Sequence, residues 1–139
     1  GRVLLEPLHP SLAKVSTLTS FQATLQALDV FSDRHPHLAK RINLVLDLVH
    51  VSPKEVLELS HEALSKVAVI HLADYKGAFE TVDPNARLPL GEGDLPVEHL
   101  IDHIHSSDFS GVWECETIAP IGTIRECVAR NMAGARRFL

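Results

Sequence analysis

Val67-Ala68-Val69-Ile70-His71-Leu72-Ala73-Asp74 is an apolar run that leads directly into a histidine, with an aspartate three residues later. A short and nearly continuous apolar run is typical of a strand that is buried on both faces. The polar stretch that follows, from Tyr75 to Asp94, contains Arg87 and ends in Gly-Glu-Gly-Asp. We expect the end of this strand to carry a metal-binding or acid–base residue, and the loop to form one wall of an active site.

Three further apolar runs complete an alternating pattern of strands and helices. The four predicted strands are Val3–Glu6, Ile42–Val49, Val67–Leu72 and Val112–Ile118. Each is followed by a helical pattern, and the predicted helix starts lie at Thr19, Ser52, Asp94 and Thr123. Alternation of this kind predicts an α/β fold with parallel strands and right-handed crossovers. Four such units make either half of an eight-fold barrel or a small open sheet.

Size and charge exclude several classes of protein. With 139 residues, the chain is long enough for one domain with its own core. The net charge is −5, and the basic cluster in the last predicted helix is too small for a nucleic-acid surface. No apolar run approaches the roughly 18–20 residues of a transmembrane helix. Because Cys115 and Cys127 lack disulfide-framework or zinc-site spacing, we expect reduced thiols and a cytoplasmic protein.

Each predicted strand carries an acid or an imidazole near its C-terminal end. These four residues are Glu6, Asp47, His71 and Glu116. Taken singly, each is more typical of a helix cap, an ion pair or a core residue. One such residue on every strand indicates a joint site, because ligands of parallel α/β folds bind at this edge of the sheet. Three carboxylates and one imidazole suit a divalent metal ion such as Mn²⁺, Mg²⁺ or Co²⁺, and Zn²⁺ also fits.

The same set predicts proton transfer next to a carbonyl group. A metal ion chelated by adjacent carbonyl and hydroxyl oxygens of a substrate would act as a Lewis acid and stabilise an enediolate. Glu6 and Glu116, from the first and last strands, are the candidates that would remove and return the proton. Glu114 points the same way as Glu116 by strand alternation. We favour Glu116 as the ligand because it lies nearer the end of the strand.

Four other polar residues lie near this edge, and the residues alone leave the roles of three of them open. His50 follows the second strand and either reaches substrate oxygens or lies in solvent. Arg87 either binds a substrate oxygen or phosphate or is a solvent-exposed loop residue. Asp74 either orients His71 or holds the loop. Asp94 is expected to be the N-cap of the following helix.

Five segments in collinear order carry a family resemblance that covers essentially the whole chain. They are Leu4–Pro10, Leu44–His50, Val69–Asp74, Arg87–Asp94 and Phe109–Glu116. Four of them resemble the fifth to eighth strand segments of sugar phosphate isomerases/epimerases of the xylose isomerase-like TIM-barrel superfamily. The fourth in order resembles that family's arginine followed by Gly-Glu-Gly-Asp. The resemblance is therefore to the C-terminal half of the family's barrel.

The resemblance implies a (β/α)8 TIM-barrel type of fold, of which residues 1–139 supply the C-terminal four β/α units as a half barrel. It also implies a divalent metal ion bound by the four strand-end residues, substrate contacts from His50 and Arg87, and proton transfer by Glu6 and Glu116. The activity implied is isomerisation or epimerisation of a sugar, sugar phosphate or keto-polyol. A dehydratase of a cyclic hydroxy-ketone, such as an inosose or dehydroshikimate, and a non-catalytic relative stay open.

Strands one to four of the family's barrel have no counterpart in the chain. We expect either a fragment of a larger protein, which is the reading we favour, or two copies that complete one another. Much of the pocket would come from the missing half, so activity is expected of the closed barrel rather than of this half. The family's AP endonuclease branch, which grips DNA with more histidine ligands, is disfavoured by the acidic charge. The expected partner is a small sugar or polyol, with no nucleic acid and no membrane.

Overall fold

Four parallel strands form one sheet at the centre of the structure, a computed structural model that describes residues 1–117 and 122–139. The strands are β1 (Val3–Leu5), β2 (Ile42–Asp47), β3 (Val67–Leu72) and β4 (Val112–Cys115). They lie in the order β1-β2-β3-β4, so strands adjacent in the chain pair in space. The predicted parallel α/β fold is confirmed. Ile118, the predicted end of the fourth strand, lies outside the described residues.

Helical segments connect the strands, as parallel pairing requires. They are α1 (Phe21–Arg34), α2 (Pro36–Ala39), α3 (Pro53–Leu57), α4 (His61–Ser65), α5 (Val97–His105) and α6 (Ile124–Phe138). Short 3₁₀ turns lie at Pro10–Leu12 and Phe79–Thr81. None of the helices in the described part of the chain combines the length and apolar character of a membrane span.

The crossover between β2 and β3 consists of two short helices, although the sequence predicted a single helix that starts at Ser52. The predicted cap at Ser52 is confirmed, since its hydroxyl accepts the amide three residues later. The hydroxyl of Ser60 then accepts the amide of Ala63 at 3.2 Å and starts α4. Serine competes with the helical backbone in this way, which explains the break. The cap predicted at Thr123 is also confirmed.

The cap predicted at Thr19 is wrong by one residue. The hydroxyl of Ser20, not of Thr19, accepts the amide of Ala23 at 3.3 Å. The amide of Gln22 donates instead to Oε1 of Glu55 at 3.0 Å. A carboxylate from α3 therefore completes the N-terminus of α1, and this long-range partner has no local sequence signal.

The predicted cap at Asp94 is wrong for a similar reason. Helix α5 begins at Val97, and Pro96 before it offers no side-chain hydrogen bond. The carboxylate of Asp94 accepts the amide of Gly77 at 2.9 Å and lies 3.2 Å from Nζ of Lys76. Asp94 thus closes the start of the long loop onto its end.

The core is centred on β2 and β3, while β1 and β4 are the edges of the sheet. Leu46 and Ile70 are fully buried, as expected for strands covered on both faces. On the edge strands, Val3 is 53% exposed and Val112 is 58% exposed. In the described residues, the outer edges of β1 and β4 are unpaired, and the sheet is open.

Asp74, at the end of β3, fastens the long loop that carries Arg87. Its side chain is fully buried, and Oδ2 accepts the amides of Gly91 at 3.0 Å and Gly93 at 2.8 Å. Oδ1 accepts the amide of Leu95 at 3.0 Å and that of the residue directly after Asp74 at 2.8 Å. Of the two roles that the sequence left open for Asp74, these contacts assign the second, which is holding the loop.

Helix α6 packs against the outer side of the same loop. A Cβ atom at Gly134 would overlap the carbonyl oxygen of Leu90, so the helix approaches as closely as it does because this residue is glycine. Nε of Arg130 also donates to Oε1 of Glu92 at 2.8 Å. The loop is therefore held between Asp74 inside and α6 outside.

Replacement of Asp74 by asparagine should lower the free energy of unfolding by about 2–4 kcal/mol, because an amide nitrogen would then face backbone N–H donors inside the protein. Urea denaturation followed by circular dichroism measures the change. The control is Asp83→Asn on the same loop, whose exposed carboxylate accepts the amide of Asn85. The control should change stability by only about 0.5 kcal/mol. Equal losses in the two variants would contradict the role given to Asp74.

Candidate metal centre

Four side chains from the C-terminal ends of the four strands meet in one group, here called the strand-end cluster. Its members are Glu6, Asp47, His71 and Glu116. One ligand atom from each lies within 4.8 Å of the ligand atoms of all the others. The convergence follows from the sheet, because the carboxyl ends of parallel strands lie at one edge. All four residues that the sequence singled out as ligands are thus brought together.

The imidazole of His71 lies at the centre of the cluster. Its Nδ1 is 2.9 Å from Oε2 of Glu116, 3.0 Å from Oε1 of Glu6 and 3.4 Å from Oδ2 of Asp47. Hydrogen bonds with Asp47 and Glu6 outweigh the effect of burial and raise the pKa of His71 to about 10. Three carboxylates therefore share one positively charged neighbour at this point.

Asp47 is the fully buried member, and the turn after β2 orients it. Its Oδ1 accepts the amides of Val49 at 2.7 Å and His50 at 3.2 Å. Its Oδ2 accepts a hydrogen bond from Nη1 of Arg87 at 2.7 Å. Burial alone would raise the pKa of Asp47, but the hydrogen bond from His71 and the charge of Arg87 hold it well below its usual range. Asp47 is consequently a fixed negative charge in the interior.

Arg87 is buried under the cluster rather than exposed on the loop, its side chain being only 1% accessible. Nη1 donates both to Asp47 and to Oε2 of Glu116, the latter at 2.9 Å. Nε donates to the carbonyl oxygen of Pro84 at 3.1 Å, and Nη2 lies 3.1 Å from Nε2 of His50. All three guanidinium nitrogens therefore have an acceptor within the chain.

The contact with Arg87 defines the protonation of His50. A guanidinium group can only donate, so Nε2 of His50 must accept and Nδ1 must carry the proton. Burial is the main cause that lowers the pKa of His50, which keeps the ring neutral near pH 7. Nδ1 is buried and has no hydrogen-bond partner among the residues that the structure describes. His50 thus presents one unused N–H donor beside the cluster.

The two glutamates of the last strand segment have different environments. Oε2 of Glu116 contacts His71 and Arg87, and burial raises the pKa of Glu116. Glu114 is 59% exposed in its side chain, and its nearest oxygen lies 3.8 Å from Nε2 of His71. It is not among the converging ligands. Glu116 lies in the strand-end cluster, and its role as the ligand stays a prediction.

Several contacts that orient the site involve backbone atoms, and sequence reasoning did not identify them. The amide of Val49 orients Asp47, and the carbonyl of Pro84 orients Arg87. Nε2 of His9 lies 2.9 Å from the carbonyl oxygen of Phe79, which joins the segment after β1 to the loop after β3. Backbone groups have no residue-type signal, so the sequence does not predict the partner of His9.

The donor set fits a single divalent cation. Metal–ligand distances of about 2.0–2.6 Å place two ligands of one ion at most about 4–5 Å apart. The ligand atoms of the cluster all lie within 4.8 Å of one another and satisfy that limit. Three oxygens and one nitrogen, with three carboxylate charges, have the composition that suits hard and intermediate divalent ions.

The family model described as the xylose isomerase-like TIM barrel matches residues 2–135. Among solved structures, the IolI protein with a binding zinc atom is similar, with a TM-score of 0.73 at 16% identity over 99% of this chain and 50% of that chain. A protein from Sinorhizobium meliloti 1021 has a TM-score of 0.73 at 19% identity, over 99% of this chain and 50% of that one. A xylose isomerase domain protein from Alicyclobacillus acidocaldarius has a TM-score of 0.68 at 21% identity, over 98% and 49%.

The chain therefore spans about half the length of these solved structures. Among curated protein sequences, none matches it significantly. The four-stranded parallel sheet and the half coverage together confirm the predicted half of a TIM barrel. The family resemblance inferred from the strand-end motifs is confirmed as well, and the chain belongs to the xylose isomerase-like TIM-barrel family.

Proposed function

We propose that the strand-end cluster binds one divalent metal ion and that the closed barrel is an isomerase or epimerase. Its substrate would be a sugar, a sugar phosphate or a keto-polyol. The observation that carries this proposal is the approach of three carboxylates and one imidazole to within 4.8 Å of one another. The chain belongs to the xylose isomerase-like TIM-barrel family, and this membership supports the proposed reaction class. Mn²⁺, Mg²⁺ and Co²⁺ are the ions we favour, with Zn²⁺ as the alternative.

The four ligands differ in access, and this difference divides their tasks. The side chain of Asp47 is fully buried, whereas that of Glu6 is 30% exposed and that of Glu116 is 37% exposed. His71 is 14% exposed, so the two glutamates are the most accessible of the four ligands and the best placed to hold the ion and also reach a substrate. The bound ion would supply Lewis acidity at the substrate's carbonyl group. Glu6 and Glu116, on opposite edges of the half sheet, would remove and return the proton.

His50 and Arg87 are the residues proposed to contact the substrate. The unpartnered Nδ1–H of His50 supports this role, because a buried donor without an acceptor costs free energy until a ligand accepts from it. Arg87 uses one of its two Nη2 hydrogens on His50, and a contact with substrate would use the other. Asp47 would then hold the backbone of His50 and the side chain of Arg87 in position through its own contacts.

We also propose that four further β/α units close the barrel, from a longer parent chain or from a second copy. The unpaired strand edges and the half coverage of similar structures support this. A cavity of about 340 Å³ beside β4 is lined partly by the exposed apolar residues Ile124, Val128 and Met132 of α6. We infer that an adjoining unit of a barrel would pack against these side chains. The cytoplasmic location and the absence of nucleic-acid partners stay predictions.

The metal site is tested by titration with Mn²⁺. The protein should bind one ion per chain, and Glu116→Gln should weaken binding by at least about tenfold because a charged ligand is lost. Isothermal titration calorimetry gives the affinity, and elemental analysis gives the stoichiometry. Glu114→Gln is the matched control on the same strand segment and should bind nearly as tightly as the wild type. An undiminished affinity in Glu116→Gln would remove the basis of the proposed site.

The reaction class is tested by incubating the full-length protein with a panel of ketoses and cyclic hydroxy-ketones in D₂O. We expect an isomer or epimer that carries deuterium at the exchanged carbon, since a carboxylate returns a proton equilibrated with solvent. EDTA should abolish the reaction, and Mn²⁺ should restore it. Loss of water from the substrate would instead identify the dehydratase alternative, and no turnover with metal bound would favour the non-catalytic relative.

A further inference from the structure

The strand-end cluster brings three carboxyl groups together at one edge of the sheet, and His71 and Arg87 carry the positive charges beside them. Its three carboxylates lie around one imidazole, and Asp47 is fully buried. A buried charge without a partner is strongly destabilising. Arg87 supplies the permanent positive charge nearest to the cluster, because its Nη1 lies 2.7 Å from Asp47 and 2.9 Å from Glu116.

The guanidinium group acts on the same oxygen atoms that a metal ion would use. Oδ2 of Asp47 and Oε2 of Glu116 each accept from Arg87, and each also faces Nδ1 of His71. The side chain of Arg87 is 1% exposed, and its Nε also donates to the carbonyl oxygen of Pro84. The charge therefore cannot move to solvent without breaking buried contacts.

We propose that Arg87 is an internal counter-cation, which keeps the metal ligands assembled in the metal-free protein and opposes the incoming ion. This inference rests on the proposed metal site. Arg87 acts on the ion through Asp47 and Glu116, so it is a positioning residue toward the metal. The role is distinct from any hydrogen bond that it makes to substrate.

Two linked effects follow from this arrangement. Arg87 stabilises the metal-free cluster by compensating its charge. It would also repel a divalent cation bound to the same carboxylates, because like charges that share ligands inside a protein interact strongly. A group that favours the metal-free state over the metal-bound state must lower the metal affinity by the same free energy.

The experiment is the variant Arg87→Gln, which removes the charge and retains a polar side chain. We expect a lower melting temperature without metal, and Mn²⁺ binding that is tighter by about tenfold or more, which corresponds to about 1.4 kcal/mol. Differential scanning calorimetry with and without Mn²⁺ and isothermal titration calorimetry measure the two effects. A loss of local structure would weaken metal binding, so tighter binding distinguishes charge compensation from a merely structural role.

Two further variants serve as matched comparisons. Arg87→Lys keeps the positive charge and should return the Mn²⁺ affinity most of the way to that of the wild type. Arg130→Gln breaks the contact between α6 and Glu92 on the same loop and leaves the carboxylates of the strand-end cluster unchanged. It should lower the melting temperature slightly and leave the Mn²⁺ affinity unchanged, which separates loosening of the loop from removal of the charge.

The possible results distinguish failure of the counter-cation role from failure of the proposed metal site. If the wild type binds Mn²⁺ and Arg87→Gln binds it equally well or more weakly, the counter-cation role is overturned while the metal site stands. If Arg87→Gln is unfolded alone, Mn²⁺ should refold it, and failure to refold likewise overturns the proposal. Absence of Mn²⁺ binding in both the wild type and Arg87→Gln would contradict the proposed metal site itself.

Discussion

The buried carboxylate of Asp47 is the constraint on which the rest of the site depends. A charge at the end of a central strand, fully removed from water, must be matched by donors from its surroundings. The turn after β2 supplies the amide of Val49, β3 supplies His71, and the long loop supplies Arg87. One acidic side chain thus draws together a turn, a strand and a loop that are far apart in the chain.

A second buried acid, Asp74, also needs partners for its negative charge, and its partners are of a different kind. Asp47 is matched partly by a guanidinium group, whereas Asp74 accepts backbone amides that include those of Gly91, Gly93 and Leu95. The two acids therefore hold the loop at different places, one through its arginine and the other through its main chain. Together they fix the part of the loop from Arg87 to Leu95.

The sequence predicts well what depends on local pattern. Continuous apolar runs identify the four strands, and the alternation of strands and helices indicates that the strands are parallel. These two patterns together predict that the residues at the strand ends lie at one edge of the sheet. Predictions fail where a partner is distant in the chain. Thr19 and Asp94 had the residue types of helix caps, but Glu55 and Gly77 lie where local pattern cannot place them. The partners of Arg87 were open for the same reason.

The contact of Gly134 with Leu90 limits how the last helix can change during evolution. Glycine within a helix costs about 1 kcal/mol relative to alanine, so helix stability alone would favour replacing it. The carbonyl oxygen of Leu90 occupies the space that any side chain would need. Any other residue at position 134 would therefore require the loop or the helix to move. A helix that carries none of the four residues of the strand-end cluster is thus tied to the loop of Arg87 by the absence of a single methyl group.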